Sequence, residues 1–518
     1  LEFRRVLFRS ATVRAPASAG IGSRPGGTVP PTMNDTAAPR RSAFEMMVGY
    51  FKDFGVLKET RTEYWGIQII NFLDCTAYFA LLTIASVFLS EDLGLTDESA
   101  GYTITIFTSA TSLMLLFSGM TTDWLGIRRS LHLALGGQLV LRGAMVWIGL
   151  TPSLPYRGLL AGVVFLLMAP FMAALQTIFQ AATNRYTTKR SRSAGFNLWY
   201  LFMNVGAAAA GFAIDIVRKM LHLPNVHIFT LGVITAALCL VAGRLLVRSE
   251  EQLVSGDPAE APPEEKKVSR ANPFKIWREI LREPTLWRLL VLIALIVGVR
   301  AVYSYLYLLM PKYWLRTIGP DAAFGTLNAI NPIGIVIGLV LFIPLANKYR
   351  VFRMLVYGAM ISSVALFPMA VPWEWYGLGI AQAHYLMALL CMILLTIGEV
   401  VWSPKLYEYT AAIAPKGQEG TYLGLSLVPW FLAKTGVSAL SGHLLQKWSP
   451  EKVTVDGAAV PLQEAMIKGQ LGYWDRPEAM WLLLGAYALA GCIIAALLEK
   501  WLTQGAKENL EPKSAGAA

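Results

Sequence analysis

Runs of about twenty apolar residues, each long enough to cross a bilayer as a helix, recur along most of this 518-residue chain. No other feature constrains the fold so tightly. Hydrocarbon offers no partner for a backbone N–H or C=O, so a segment that enters it must bond to itself as helix or close into a barrel. The runs lack the strict alternation of barrel strands and read as helices. Charged residues make up 15% of the chain, against about 25% in a soluble globular protein. The fold class expected is all-α: a polytopic membrane protein of about twelve transmembrane helices.

The first six spans fall near 65–90, 99–122, 130–151, 157–183, 194–217 and 226–248. The second six fall near 287–310, 324–346, 351–372, 382–405, 419–441 and 478–502. This divides the chain into a six-helix bundle over 65–248 and a second over 287–502, joined by a charged linker, 249–286. A short surface helix is expected in that linker from Pro273. Residues 1–32, rich in Arg, Gly, Pro and Ala, read as a leader outside the natural chain or a disordered tail, with Met33 the natural start. Residues 33–64 form an N-terminal segment with an amphipathic stretch, and 503–518 a tail.

The net charge is +11. No interleaved basic and aromatic patch points to nucleic acid, and the charge is expected to face the cytoplasm and anionic lipid. "GIRRS" follows span two, "NRYTTKRSRS" span four and "NKYRVFR" span eight, whereas "SEDLGLTDES" after span one has no Lys or Arg. Both termini are therefore expected on the cytoplasmic side of a cell membrane, the inner membrane if the cell is bacterial. "RKML" after span five and "KYWLR" after span seven run against that rule. Cys75, Cys239, Cys391 and Cys492 each sit inside an apolar run, with neither metal nor disulfide spacing.

The loop "SGMTTDWLGIRRS" places Gly119, Asp123, Gly126, Arg128 and Arg129 between spans two and three. This pattern resembles the signature loop of the major facilitator superfamily, in which it latches two halves on the cytoplasmic side. "FNLWYLFMNVGAAAAG" in span five, "TLNAINPIGIVIG" with Asn331–Pro332 in span eight, and "IGEVVWSPKLYEYTAAIAPK" in span ten narrow the likeness. Together they resemble the proton-coupled oligopeptide transporters. Span one departs from that family: where it carries Glu-x-x-Glu-Arg-Phe before Tyr-Tyr-Gly, this chain has Asn71, Asp74 and Cys75 ahead of Tyr78. The family's span-four lysine has no counterpart, and Gln176 is the nearest polar residue.

Ionisable groups in mid-span are costly, so they face a cavity or a partner. Asp74, Arg142, Arg300, Glu399 and Lys434 are the candidates. The family fold implies that spans one, four, seven and ten line a central cavity, which would put Asp74, Arg300 and Glu399 on the substrate path. Arg142, in a scaffold span, is expected to have a structural partner. Glu399 has a structural alternative, a salt bridge to Arg300 or Lys434. Tyr78, Tyr303, Tyr305 and Tyr307 could shape a pocket or simply pack, and Pro404 is expected to break span ten near its end as a helix gate.

No HExxH, P-loop or nucleophile elbow occurs, and an enzyme is not expected. The resemblance implies a secondary active transporter of a small solute, a peptide or related zwitterion or organic anion, with no cofactor beyond a coupling proton. A monomer in contact with lipid is expected. The alternatives are an uncoupled facilitator for a sugar, organic acid or drug, and a membrane receptor or scaffold that does not transport.

Overall fold

The computed structural model describes residues 54–188, 191–249, 283–346, 349–413 and 428–504. The leader, the amphipathic stretch before residue 54, the linker helix from Pro273 and the tail beyond 504 lie outside the described residues. Twelve long helices follow in order. The first six are α1 (Thr62–Val87), α2 (Asp97–Leu125), α3 (Ile127–Leu150), α4 (Arg157–Arg185), α5 (Arg192–Asp215) and α6 (Val226–Leu246). The second six are α7 (Pro284–Leu308), α8 (Phe324–Ala346), α9 (Val351–Val364), α10 (Ile380–Ile413), α11 (Val428–Trp448) and α12 (Pro477–Leu497).

Among the described residues, nine helices are long and apolar enough to cross a membrane by length and composition alone. The chain is an integral membrane protein. α2 and α11 are hydroxyl-rich where they face each other. Ser109 and Thr435 lie 3.0 Å apart, and Thr108 and Ser438 3.5 Å.

In the apolar stretches of α1 and α7, 78% and 72% of residues are buried, against 33% in α3 and in α12. α1 and α7 are thus central, whereas α3 lines the outside, where Leu133, Val140 and Trp147 repeat one exposed stripe. Helices α1–α6 pack on one another, as do α7–α12, and the halves meet chiefly where α5 crosses α8 and α2 crosses α11. At the first crossing Gly211 and Gly325 oppose each other: a Cβ on either would collide with the other's carbonyl oxygen. At the second, a Cβ on Gly442 would come within 2.6 Å of the Asp97 backbone.

α11 runs on to Trp448, past the expected end near 441, because Leu445 is still buried. The interval before α12 departs from the all-helical expectation. Strands β1 (Lys452–Val455) and β2 (Ala458–Pro461) pair antiparallel across Asp456–Gly457, both at positive φ. Asp-Gly at such a turn is a strong hairpin signal in any sequence.

Candidate functional site

Two glycines set α10 close against α9. A Cβ on Gly398 would collide with Ser362 Oγ, and one on Gly358 would stand 2.8 Å from Trp402 Cβ. On its other flank α10 meets α8, where a Cβ on Gly334 would stand 2.6 Å from Thr396 Cγ2. Glu399 is thereby presented to Asn331, whose Nδ2 donates to Glu399 Oε2 at 3.1 Å and to Thr396 Oγ1 at 3.2 Å. Asn331 precedes Pro332, which lacks an N–H, so α8 is one intrahelical bond short here.

Behind Glu399 stands a polar and aromatic wall. The Arg300 guanidinium lies 4.2 Å from the centre of a Trp402 ring. Trp402 Nε1 donates to Tyr303 Oη at 3.1 Å, and Tyr303 Oη lies 2.8 Å from Ser362 Oγ and 3.3 Å from the Leu395 carbonyl oxygen. Arg300 is 0% exposed. It acts electrostatically on Glu399 but does not line an open path as expected; the indole covers it. Trp402, three residues beyond Glu399 and so on a neighbouring face of α10, was not among the sequence candidates, although it stands inside "IGEVVWSP".

Tyrosines of both halves stand near this wall. Tyr307 on α7 is within electrostatic reach of Glu399, of Tyr78 on α1 and of Tyr200 on α5. Lys434 Nζ on α11 donates to Tyr78 Oη at 3.4 Å, a contact that joins the two halves. Glu399, Asn331, Lys434, Tyr78, Tyr200 and Tyr307 thus surround the middle of the bundle, with one acidic and one basic side chain among them. Tyr305 is elsewhere, edge-on to Trp481 at 6.2 Å.

Asp74 is not on this path. Arg142 Nη2 donates to Asp74 Oδ1 at 3.0 Å, and Arg142 Nη1 to the Gly232 carbonyl at 3.2 Å. Both side chains are almost wholly enclosed between α1, α3 and α6. Turning Asp74 toward α3 satisfies Arg142, which would otherwise be a buried lone charge. Asn71 also points away from the centre, donating to the Trp199 carbonyl at 3.2 Å and accepting from Cys75 Sγ at 3.4 Å. Gln176 is half-buried on α4.

Pro404 does not break α10, which continues to Ile413. At the loop between α2 and α3, Gly126 takes φ +81°, a value that favours glycine, and ends α2. Arg128 and Arg129 open α3, and the Arg128 carbonyl bonds His132 Nδ1 at 2.7 Å. The surroundings of Gly119 and the side chain of Asp123 lie outside the described residues, as does Ala414–Pro415.

At the end of the bundle where α1 hands over to α2, the halves are clamped. Asp97 accepts from Lys312 Nζ at 2.7 Å and from Arg316, whose Nη1 lies 2.8 Å from Oδ2. These cations sit on a short helix, Met310–Thr317, between α7 and α8. Lys312 also donates to Ser90 Oγ at 2.6 Å. Asp215, at the end of α5, accepts from the Gly325 and Thr326 backbone N–H at 3.1 and 2.7 Å. A carboxylate from one half thus caps the N-terminus of a helix in the other, where the helix dipole favours it. Arg218 lies 4.8 Å over the Phe324 ring and 3.7 Å from Glu91. The basic residues that broke the expected charge pattern are therefore those that close this end.

A family model described as Major Facilitator Superfamily matches residues 67–435. No curated protein matches the chain. Among solved structures, one reported for substrate recognition in proton dependent oligopeptide transporters is 14% identical, with 86% of this chain and 99% of that chain covered at a TM-score of 0.63. A peptide transporter POT in complex with sulfate is 16% identical, with coverages of 87% and 96% and a TM-score of 0.62. A bacterial homologue of the human drug peptide transporters PepT1 and PepT2 is 15% identical, with coverages of 85% and 99% and a TM-score of 0.62. At these identities the likeness is one of fold.

Proposed function

The chain belongs to the Major Facilitator Superfamily, and on that premise we propose that it is a proton-driven transporter of a small zwitterion of the peptide class. The single observation that supports this most is Glu399 at the middle of the bundle, held by Asn331 and within electrostatic reach of Tyr307, which in turn reaches Tyr78, the hydroxyl that Lys434 touches. A carboxylate away from water is costly unless a cation or a proton accompanies it. A cargo ammonium and a proton would therefore compete for Glu399, and their exchange would link the two movements. Lys434 is the better partner for a cargo carboxylate than Arg300, because Trp402 covers the guanidinium. Lys434 and Tyr78 belong to different halves, so a cargo seated between them would bridge the surfaces that must move.

The clamped end is read as the outer face, since "GIRRS" and the basic start of α9, "RVFR", lie at the opposite end. Transport then requires Asp97 and Asp215 to release their partners so that the halves rock apart at that end. Uptake into proteoliposomes tests the proposal. Wild type is expected to concentrate a zwitterionic dipeptide under an inward proton gradient, and Glu399→Gln to exchange it without concentrating it. Equal accumulation by Glu399→Gln would refute the role of that carboxylate.

A second reading, an uncoupled facilitator for a sugar, organic acid or drug, draws support from one observation. Asp74, the other mid-span carboxylate expected to carry protons, is already neutralised by Arg142. Accumulation that ignores the proton gradient in wild type would favour it.

A further inference from the structure

The clamp at the outer end has a second side. The short helix Met310–Thr317 carries Lys312 and Arg316 toward Asp97 and, on the adjoining flank, Tyr313 toward the N-terminus of α12. There Glu478, the second residue of α12, is 0% exposed. Neither of its carboxylate oxygens accepts a well-formed hydrogen bond among the described residues; the nearest donors are the backbone N–H groups of Glu478 itself and of Trp373. The nearest cation in sequence, Arg476, is committed elsewhere: Nη1 donates to Glu374 at 2.7 Å and Nε to the Leu471 carbonyl at 2.9 Å.

Other polar groups lie around it. Tyr313 and Trp481 interact with each other, their rings meeting edge-on with centres 5.1 Å apart, and Tyr313 Oη and Trp481 Nε1 make no hydrogen bond of full geometry among the described residues. The His384 ring is 5.9 Å beyond Tyr313. Its Nδ1 donates to the Ile380 carbonyl at 2.7 Å, so its buried Nε2 is a bare acceptor. The titratable and charged groups that face Glu478 are thus Tyr313 from the connecting helix, Glu374 from the turn before α10, and Tyr473 and Arg476 from the segment ahead of α12. His384 on α10 stands behind Tyr313. Arg476, the one cation among these, acts on Glu478 electrostatically but is hydrogen-bonded to Glu374.

We propose that Glu478 is a second proton-carrying group, and that its proton holds the connecting helix where Lys312 and Arg316 can grip Asp97. A buried carboxylate with no cation costs several kcal/mol, whereas the protonated acid is neutral and can donate. With the outer end shut, Glu478 is sealed and holds its proton. When the connecting helix leaves Asp97, water reaches Glu478 and the proton is released. The shut state binds one proton more than the open state, so it is favoured in acid and lost as pH rises. Glu478 differs from Glu399 in both position and role, because it sets the outer gate and touches no cargo.

The test rests on the reading of the clamped end as a gate, and it uses purified full-length protein with no cargo. Spin labels at Leu221 in the first half and Lys452 in the second, both exposed, report the separation of the halves across a pH series. In wild type the open-to-shut ratio is expected to rise with pH by up to about tenfold per pH unit, the most that one proton can drive. Glu478→Gln, a neutral mimic, is expected to stay shut as pH rises, and Tyr313→Phe to respond with a displaced midpoint. Glu399→Gln is expected to respond as wild type does. A wild-type response that survives in Glu478→Gln overturns the proposal, as does a wild-type distance that ignores pH while Asp97→Asn still opens it. If neither pH nor Asp97→Asn changes the distance, the gate reading fails and the proposal with it.

Discussion

Glu399 and Asp74 are both carboxylates in apolar helices, yet their surroundings differ. Asp74 pairs with Arg142 at 3.0 Å between scaffold helices, whereas Glu399 is held by the neutral amide of Asn331. Sequence could locate both charges but not their partners. Asp74 and Arg142 are 68 residues apart, and on uniformly apolar helices no polar face reveals which way a side chain turns. The same gap hid the cover that Trp402 places over Arg300. The pair yields a direct expectation. Asp74→Ala leaves Arg142 buried and alone, at a cost of about 3–5 kcal/mol, and should lower the melting temperature in detergent sharply. Asp74→Leu combined with Arg142→Met should recover most of that loss. A double variant no more stable than Asp74→Ala would show that the pair has further work to do.

Among the elements, the contacts between α5 and α8 and between the connecting helix and α2 decide how the clamped end, the outer end on the proposed reading, closes. Gly325→Leu would drive a side chain into the Gly211 carbonyl. Crosslinking across the outer end should fall severalfold in that variant, with the helices still formed. Burial pushes the Asp97 carboxyl up, but the Arg316 hydrogen bond and the Lys312 and Arg316 charges prevail, so it sits below its ordinary value. Asp97 precedes the apolar part of α2. A carboxyl lowered in this way stabilises the closed end above the ordinary aspartate range, and that contribution is lost as pH falls through the lowered value. Proteolysis or crosslinking of the outer end should show it loosening only in strong acid, and Asp97→Asn should abolish that acid limb. A limb that persists in Asp97→Asn would move its origin to another group. These cations were legible only as exceptions to the charge rule, because a clamp needs both halves in view. The Asp456–Gly457 hairpin, by contrast, was there to be read.

Over the whole molecule, the two bundles and their order were plain from the apolar runs, since hydrocarbon permits so few solutions. The loop and span motifs named the superfamily that the family model supports over 67–435. What the runs could not convey is the state of the molecule: α5 against α8 and α2 against α11, closed by Asp97 and Asp215 at one end, with Glu399 and Lys434 at the centre. On the proposed reading, that arrangement would start an alternating-access cycle in which proton and cargo share one carboxylate. The most direct measurement is proton entry itself. Proteoliposomes loaded with a pH-sensitive dye, at equal pH on both sides and with the membrane potential clamped at zero, receive external zwitterionic dipeptide. Wild type is expected to acidify the lumen as the peptide enters, and Glu399→Gln to admit peptide on exchange with no acidification. Peptide entry without proton entry in wild type, or unchanged acidification in Glu399→Gln, would contradict the account.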